Sequence, residues 1–218
     1  MLPNTKDTVL INGPSGHLEA LINLPRGNQN IIGAAVICHP HPLKEGTMHN
    51  KVVHYLAKTF NNCGYASVRF NYRGVGQSEG GYGEGVGETD DALSIIDWTQ
   101  SHLSTQQPIW LAGFSFGGYV ALSSSTQRNI AGLITIAPAV NLLDFKSLTL
   151  PAIPWLMVHG DEDDIVPFQD AVDWYEALKS KPHLEIMDGA GHFFHGRLNE
   201  LRDITTSFIS KQQTKNTV

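Results

Sequence analysis

The chain has 218 residues, of which 41% are hydrophobic and 17% charged, and its formal net charge at pH 7 is −6. This length predicts one domain over residues 1–210, followed by a polar C-terminal tail at 211–218. The chain has neither a basic stripe nor an apolar run of about 20 residues, so we expect neither nucleic acid nor a membrane as a partner. Its start lacks the pattern of a secretory signal, which favours a cytoplasmic protein.

The chain begins with two short alternating runs, at residues 8–11 and 17–24, which predict an antiparallel hairpin. Strand and helix patterns then alternate almost without exception. Strands are predicted at 31–38, 65–70, 109–112, 132–137, 155–159 and 184–187, and helices at 51–63, 88–103, from about 116 to 125, at 168–178 and at 198–209. This order predicts an α/β fold, a three-layer α/β/α sandwich with a mostly parallel sheet after the N-terminal antiparallel hairpin. A ligand is then expected at the carboxyl ends of the strands.

Several patterns that could indicate a cofactor, a metal or a disulfide are better explained otherwise. The glycine-rich stretch at 74–87 lacks the third glycine of a dinucleotide fingerprint in every register, so it is interpreted as a rim loop and no cofactor is expected. Three histidines, His39, His41 and His49, lack the paired spacing of zinc sites, and no metal is expected. Cys38 and Cys63 are expected to be reduced side chains that take part in packing, without a disulfide between them.

One strand pattern ends at a serine flanked by glycines, and a helix pattern follows at once. In this Gly-x-Ser-x-Gly turn, Ser115 is expected in strained backbone geometry, with no room for side chains at Gly113 and Gly117. A pattern this short also arises by chance. The alternative is an ordinary glycine-rich turn in which Ser115 caps the following helix. The rest of the chain must decide between them.

A serine hydroxyl needs a neighbouring base, and the base needs an acid that orients it. The strand at 155–159 runs into four consecutive carboxylates at 161–164, and the strand at 184–187 runs into a loop that carries His192. In a parallel sheet both loops open on the same edge as the serine turn. The order serine, acid, histidine is the one expected when a Gly-x-Ser-x-Gly turn belongs to this fold.

With these features, the chain resembles the alpha/beta-hydrolase superfamily over nearly its whole length. The likeness rests on the serine turn, the run His39-Pro40-His41-Pro42, the run at 69–78, and the segment from His159-Gly160 to Val166-Pro167. It is most similar to compact, lid-less serine hydrolases such as dienelactone hydrolases and small carboxylesterases. In that family the catalytic acid stands four residues before the proline of the Val-Pro pair.

The resemblance therefore implies particular residues for the acid and the base. It selects Asp163 as the acid, with Asp161, Glu162 and Asp164 interpreted as solvated loop charges. The family's glycine-histidine pairing favours His192 over His195 as the base.

Hydrolysis of an acyl group also needs two N–H donors for the developing oxyanion. The backbone N–H of Phe116, directly after the nucleophile, is one candidate. The second is expected in the loop after the third strand, where Pro40 and Pro42 have no N–H and therefore leave His41 or Leu43. Resemblance to the family's usual His-Gly-x loop favours His41, although proline here replaces the common glycine.

The resemblance implies a serine hydrolase that cleaves small acyl esters through an acyl-enzyme, with a small-molecule acyl substrate. In this mechanism His192 deprotonates Ser115 and Asp163 orients His192, so activity should fall as the pH drops through about 6–7. The short connection between Ala137 and Trp155 leaves no room for a large lid. Alternatives are a peptidase or an acyl-thioesterase on the same triad, or a non-catalytic binding module.

Overall fold

The computed structural model describes residues 2–3, 8–25 and 30–215. In this part of the chain eight strands form one sheet, in the order β1-β2-β4-β3-β5-β6-β7-β8, and helices cover both of its faces. The strands are β1 (Val9–Gly13), β2 (Gly16–Asn23), β3 (Gly33–Cys38), β4 (Tyr65–Phe70), β5 (Ile109–Phe114), β6 (Gly132–Ile136), β7 (Trp155–Gly160) and β8 (His183–Met187). The helices are α1 (Lys51–Asn62), α2 (Val86–Ser101), α3 (Phe116–Ser125), α4 (Phe168–Ala177) and α5 (Leu198–Lys215).

The strand directions confirm the predicted α/β class. The first two strands pair antiparallel, with Ile11 opposite Leu18, and β2 joins β4 antiparallel. From β4 to β8 all neighbours are parallel, so the carboxyl ends of six strands meet at one edge of the sheet. The central strands β3 and β5 are buried along their whole length, as their near-continuous apolar sequences predict.

Two hydrophobic cores, one on each face of the sheet, produce the three layers. Because strand side chains alternate between faces, Leu111 of β5 belongs to one core while its neighbours Trp110 and Ala112 belong to the other. The core around Leu111 also contains residues of α2, α3 and α4. The core around Trp110 is covered by α1 and α5.

The last helix is longer than the sequence predicts. Its apolar pattern ends at Ile209, yet α5 continues to Lys215. In these added turns the Gln213 side chain donates a hydrogen bond to the carbonyl of Cys63, at 2.9 Å. Part of the predicted tail is thus helical, and residues 216–218 lie outside the described residues. A polar extension without apolar periodicity gives no helical signal, so only this tertiary contact reveals it.

Candidate active site

The serine turn has the strained geometry that its glycines predict. Ser115 joins β5 to α3 with φ of 56° and ψ of −117°. A side chain at Gly113 would overlap the carbonyl oxygen of Gly117, and one at Gly117 would overlap the carbonyl oxygen of Cys38. The Ser115 side chain makes no capping hydrogen bond to α3. The helix-cap interpretation therefore does not describe this serine, whose hydroxyl points elsewhere.

That hydroxyl faces a histidine, which in turn faces a carboxylate. Ser115 Oγ lies 3.1 Å from His192 Nε2, and His192 Nδ1 lies 2.8 Å from Asp163 Oδ2. An ionised carboxylate only accepts hydrogen bonds, so Nδ1 carries the proton and Nε2 is left to accept the serine proton. All three residues are nearly buried, at 4 to 6% exposure. The three side chains predicted from the sequence are thus in hydrogen-bond contact in one row.

The surroundings of Asp163 keep its carboxylate ionised. Its Oδ1 accepts the backbone N–H groups of Ile165 and Val166, at 2.9 and 2.8 Å. Burial raises the pKa of Asp163. The hydrogen bonds from His192 and Val166 and the nearby imidazoles of His192 and His159 lower it further than burial raises it, so the net pKa lies below the ordinary value. Asp163 can therefore hold the proton-bearing Nδ1 at neutral pH.

A second histidine, His159 at the end of β7, lies against the same carboxylate. Its Nε2 is 3.0 Å from the carbonyl oxygen of Val166 and 3.5 Å from Asp163 Oδ2. Burial lowers the pKa of His159, despite the opposing influence of the Val166 carbonyl and of Asp163. The sequence indicates His159 only as part of the segment from His159-Gly160 to Val166-Pro167. Its contact with the acid depends on the turn at 163–166.

The other three carboxylates of the acidic loop divide into two kinds. Glu162 and Asp164 are exposed, as the sequence predicts. Asp161 differs, because its carboxylate accepts the backbone N–H of Gly189 at 2.7 Å and so joins the loop after β7 to the loop after β8. The rival histidine, His195, is exposed.

The loop after β3 brings His41 to the serine turn. The ring of His41 lies 4.9 Å from the ring of Phe116, measured between centroids. Leu43 donates its backbone N–H to His41 Nδ1 at 3.2 Å, so this group is already occupied. Within the described part of the chain, the backbone N–H groups of His41 and Phe116 donate no hydrogen bond. These two groups are therefore available to an incoming oxygen.

His39 anchors the start of this loop in the core. It is fully buried, with Nδ1 at 2.7 Å from the carbonyl oxygen of Pro40 and Nε2 accepting the backbone N–H of Tyr72 at 3.2 Å. Burial lowers the pKa of His39 to about 3, although the bond to the Pro40 carbonyl opposes this shift. The imidazole is therefore neutral and structural. Within the described residues, no three His, Cys, Asp or Glu side chains are grouped closely enough to hold a metal ion.

The glycine-rich rim loop is held by buried carboxylates. Arg73 binds Asp91 of α2 through two guanidinium nitrogens, with Nη2 at 2.8 Å from Oδ1. The side chain of Glu88 accepts the backbone N–H groups of Gly83 and Gly85, at 2.8 and 2.7 Å, where α2 begins. The loop is thus fixed beside the serine turn.

The two cysteines form no disulfide. Cys38 and Cys63 are both free, as predicted, and burial raises the pKa of Cys38 to about 12 despite a hydrogen bond with Tyr72. A thiol with so high a pKa is not a nucleophile at neutral pH.

Over the described ranges, every helix is too short or too polar to cross a bilayer.

Known proteins share this fold and these sequences. The family model described as X-Pro dipeptidyl-peptidase (S15 family) matches residues 16–151. The chain is 34% identical to uncharacterized protein RP471 of Rickettsia prowazekii (strain Madrid E) over 210 residues, which cover 92% of this chain and 87% of that protein.

Solved structures extend the likeness to nearly the whole fold. An alpha-beta serine hydrolase homologue from Coxiella burnetii is 45% identical, with a TM-score of 0.90 over 95% of this chain and 99% of that one. A serine hydrolase without lid from Xanthomonas campestris is 36% identical, with a TM-score of 0.91 over 97% and 96%. The chain therefore belongs to the alpha/beta-hydrolase superfamily, within it to the family described as X-Pro dipeptidyl-peptidase (S15 family), and is similar to the superfamily's lid-less serine hydrolases.

Proposed function

We propose that the protein hydrolyses small acyl esters through an acyl-enzyme on Ser115. The observation that carries this proposal is the hydrogen-bonded row from Asp163 through His192 to Ser115. His192 Nε2 takes the hydroxyl proton as Ser115 Oγ attacks the acyl carbon, and it then gives that proton to the departing alcohol. Asp163 stabilises the imidazolium that forms in between. Water then enters, and the same steps in reverse release the acid.

The tetrahedral intermediate needs a second set of contacts. We assign its oxyanion to the backbone N–H groups of Phe116 and His41, which are both unoccupied and belong to residues whose rings lie side by side. The engagement of the Leu43 N–H by His41 Nδ1 supports His41 over Leu43. Each such donor is worth about 2.7–4 kcal/mol of transition-state stabilisation in other hydrolases.

A site that no lid covers is suited to small substrates. Between β6 and β7 the only helical element in the described chain is the single turn Phe145–Ser147. The Xanthomonas campestris relative is itself described as having no lid. We therefore expect ester hydrolysis in free solution, without activation by a lipid interface.

A peptidase is the second candidate, and the family match favours it. Peptide and ester hydrolysis use the same triad and oxyanion donors, so the site alone does not separate them. The family description names dipeptides that end in proline. Turnover of an Xaa-Pro-4-nitroanilide in preference to 4-nitrophenyl acetate would support the peptidase, and the opposite preference would support the esterase.

The nucleophile is tested by replacing Ser115 with alanine. We expect Ser115→Ala to abolish turnover of 4-nitrophenyl acetate and labelling by a fluorophosphonate probe. The matched control is Ser101→Ala, at an exposed serine at the end of α2, which should keep both. Labelling that persists in Ser115→Ala would show that another residue is the nucleophile. Absence of labelling in the unmodified protein would favour a non-catalytic module.

A further inference from the structure

Exposed apolar side chains are concentrated at the carboxyl edge of the sheet, the edge at which the serine turn lies. Among the described residues, eight large apolar side chains are exposed, and five of them lie in the loops or helix starts that follow β3, β4, β6, β7 and β8 at the carboxyl edge. These five are Leu43, Val86, Leu142, Ile165 and Phe193. Apolar groups held in water around a reacting centre indicate a substrate with apolar parts. Two of them adjoin the triad directly.

Phe193 follows the base in the chain, and its ring is partly exposed beside the base. Its ring lies 5.1 Å from the His192 ring, nearly perpendicular to it, and 6.2 Å from the Phe114 ring. Phe194 has φ of 51°, in the left-handed region, and is fully buried. Its phenyl group is in the core, whereas that of Phe193 stays 45% exposed beside the base.

Ile165 has the corresponding position beside the acid. Its backbone N–H donates to Asp163 Oδ1, and its carbonyl accepts the side-chain amide of Asn141 at 3.2 Å. These two bonds fix the backbone, while the side chain is 47% exposed. The residues that hold the base and the acid therefore each present an apolar surface to solvent.

The chemistry of the triad decides which part of an ester meets this surface. The carbonyl oxygen must point to the N–H groups of Phe116 and His41, whereas the leaving oxygen must lie near His192 Nε2, which protonates it. In acylation the bond from Ser115 Oγ to the acyl carbon forms, the ester C–O bond breaks, and the serine proton passes through Nε2 to the leaving alcohol. The alcohol part therefore lies on the His192 side.

We infer that Phe193 and Ile165 bind the alcohol part of the substrate, which makes esters of apolar alcohols the preferred class. This inference rests on the proposed ester hydrolysis. A methylene group that is fully removed from water increases kcat/KM about fourfold. At this half-exposed surface we expect about twofold per methylene. Because the alcohol departs before the acyl-enzyme is hydrolysed, the effect belongs to kcat/KM and not to a kcat limited by deacylation.

Two ester series separate the alcohol side from the acyl side. Ethyl, butyl and hexyl acetate vary the alcohol at nearly constant acidity, and 4-nitrophenyl acetate, butyrate and hexanoate vary only the acyl group. We expect kcat/KM to rise about twofold per methylene along the alcohol series. In Phe193→Ser and Ile165→Ser this rise should flatten, whereas Phe193→Leu should retain most of it. The controls Ile186→Ser and Leu10→Ser, at apolar residues 49% and 54% exposed on the edge strands β8 and β1, should keep the rise.

The possible outcomes separate the inference about the alcohol part from the proposed ester hydrolysis. A rise that persists in both serine variants, or a flattening confined to the acyl series, overturns the inference. Turnover of 4-nitrophenyl acetate with a flat alcohol series in the unmodified protein also overturns it and leaves the proposed function intact. No turnover of either series overturns the proposed function and the inference together. Circular dichroism checks that the variants are folded. If one of the two serine variants is not folded, the slope of the alcohol series in the other serine variant decides.

Discussion

The two edges of the sheet are built differently. At the carboxyl edge, five non-glycine residues adopt positive φ, each after a different strand from β3 to β8: Glu45, Glu84, Ser115, Ala137 and Phe194. They are the full set of such residues in the described chain. At the amino edge, where helices return to strands, the positive-φ residue is Gly64, which adopts this conformation without strain. Strain is concentrated where the triad lies, as expected when rigid surroundings hold a site in shape.

The same contrast appears in two arginine–aspartate pairs. Arg73 and Asp91 support the rim loop at the carboxyl edge, where the side chains are 12% and 0% exposed. Arg128 and Asp97 form an equally close pair at the amino edge, but with side chains 38% and 54% exposed. The two ion pairs thus have similar geometry in different surroundings, and burial sets how much the loss of each pair would reduce the stability of the fold.

The largest effect is expected at the triad itself. In Asp163→Asn the side-chain amide can donate to Nδ1, which moves the histidine proton to Nε2 and prevents it from accepting the serine proton. By precedent in other serine triads, we expect kcat for 4-nitrophenyl acetate to fall about 10⁴-fold. The control is Asp164→Asn, at the exposed neighbour, which should retain activity. Equal activity in the two variants would remove Asp163 from the mechanism.

Next comes the steric requirement of the serine turn. Gly117→Ala would drive a methyl group into the carbonyl of Cys38, a backbone atom that cannot move aside. We expect the free energy of unfolding in urea to fall by about 4 kcal/mol or more. Gly81→Ala is the control, because a methyl group at Gly81 meets no atom within 4 Å. A loss below about 1 kcal/mol in Gly117→Ala would mean that this turn is less constrained than its geometry indicates.

The two ion pairs provide a direct comparison of the edges. Asp91→Asn leaves the largely buried Arg73 without its counter-charge, and we expect a loss of about 3–5 kcal/mol in unfolding free energy. Asp97→Asn at the exposed pair should cost about 0.2–1 kcal/mol, and less at high salt. Urea denaturation of both variants at low and high ionic strength measures the difference. Similar losses would contradict a role for burial.

The smallest effect is a dependence of stability on pH. His39 has a pKa of about 3 in the folded protein, so between that value and about 6.5 the unfolded chain binds a proton that the folded one does not. Stability must therefore decrease as pH falls below about 6.5, by about 1.4 kcal/mol per pH unit for this histidine.

Replacing His39 tests that slope. His39→Gln should show a shallower decrease in unfolding free energy between pH 6.5 and 5.5 than the unmodified protein, whatever its stability at neutral pH. Parallel slopes in His39→Gln and the unmodified protein would mean that His39 is protonated in the folded state.

Much of the fold and the core of the site follow from sequence patterns. The alternation of strand and helix predicts parallel strands, and parallel strands place the loops after β5, β7 and β8 at one edge. The sequence alone therefore predicts that Ser115, Asp163 and His192 meet. Contacts that cross between loops were not predictable. An example is the hydrogen bond between Asp161 and Gly189. Two contacts within a single segment, His159 against Asp163 and the Leu43 N–H to His41 Nδ1, depend on turn geometry and were not predictable either.

By itself, then, the sequence determines the class of fold, the glycine-flanked serine and the edge at which its partners lie. The periodicity of each element is a local property, and the alternation of strand and helix implies parallel strands. Only the tertiary structure decides which of two neighbouring N–H groups is unoccupied, and which of two adjacent phenylalanines faces solvent. Phe193 and Phe194 have the same side chain, yet Phe193 is 45% exposed and Phe194 is fully buried with a positive φ. Phe194 belongs to the core that contains residues of α1 and α5, and this packing between distant segments is encoded in no local pattern.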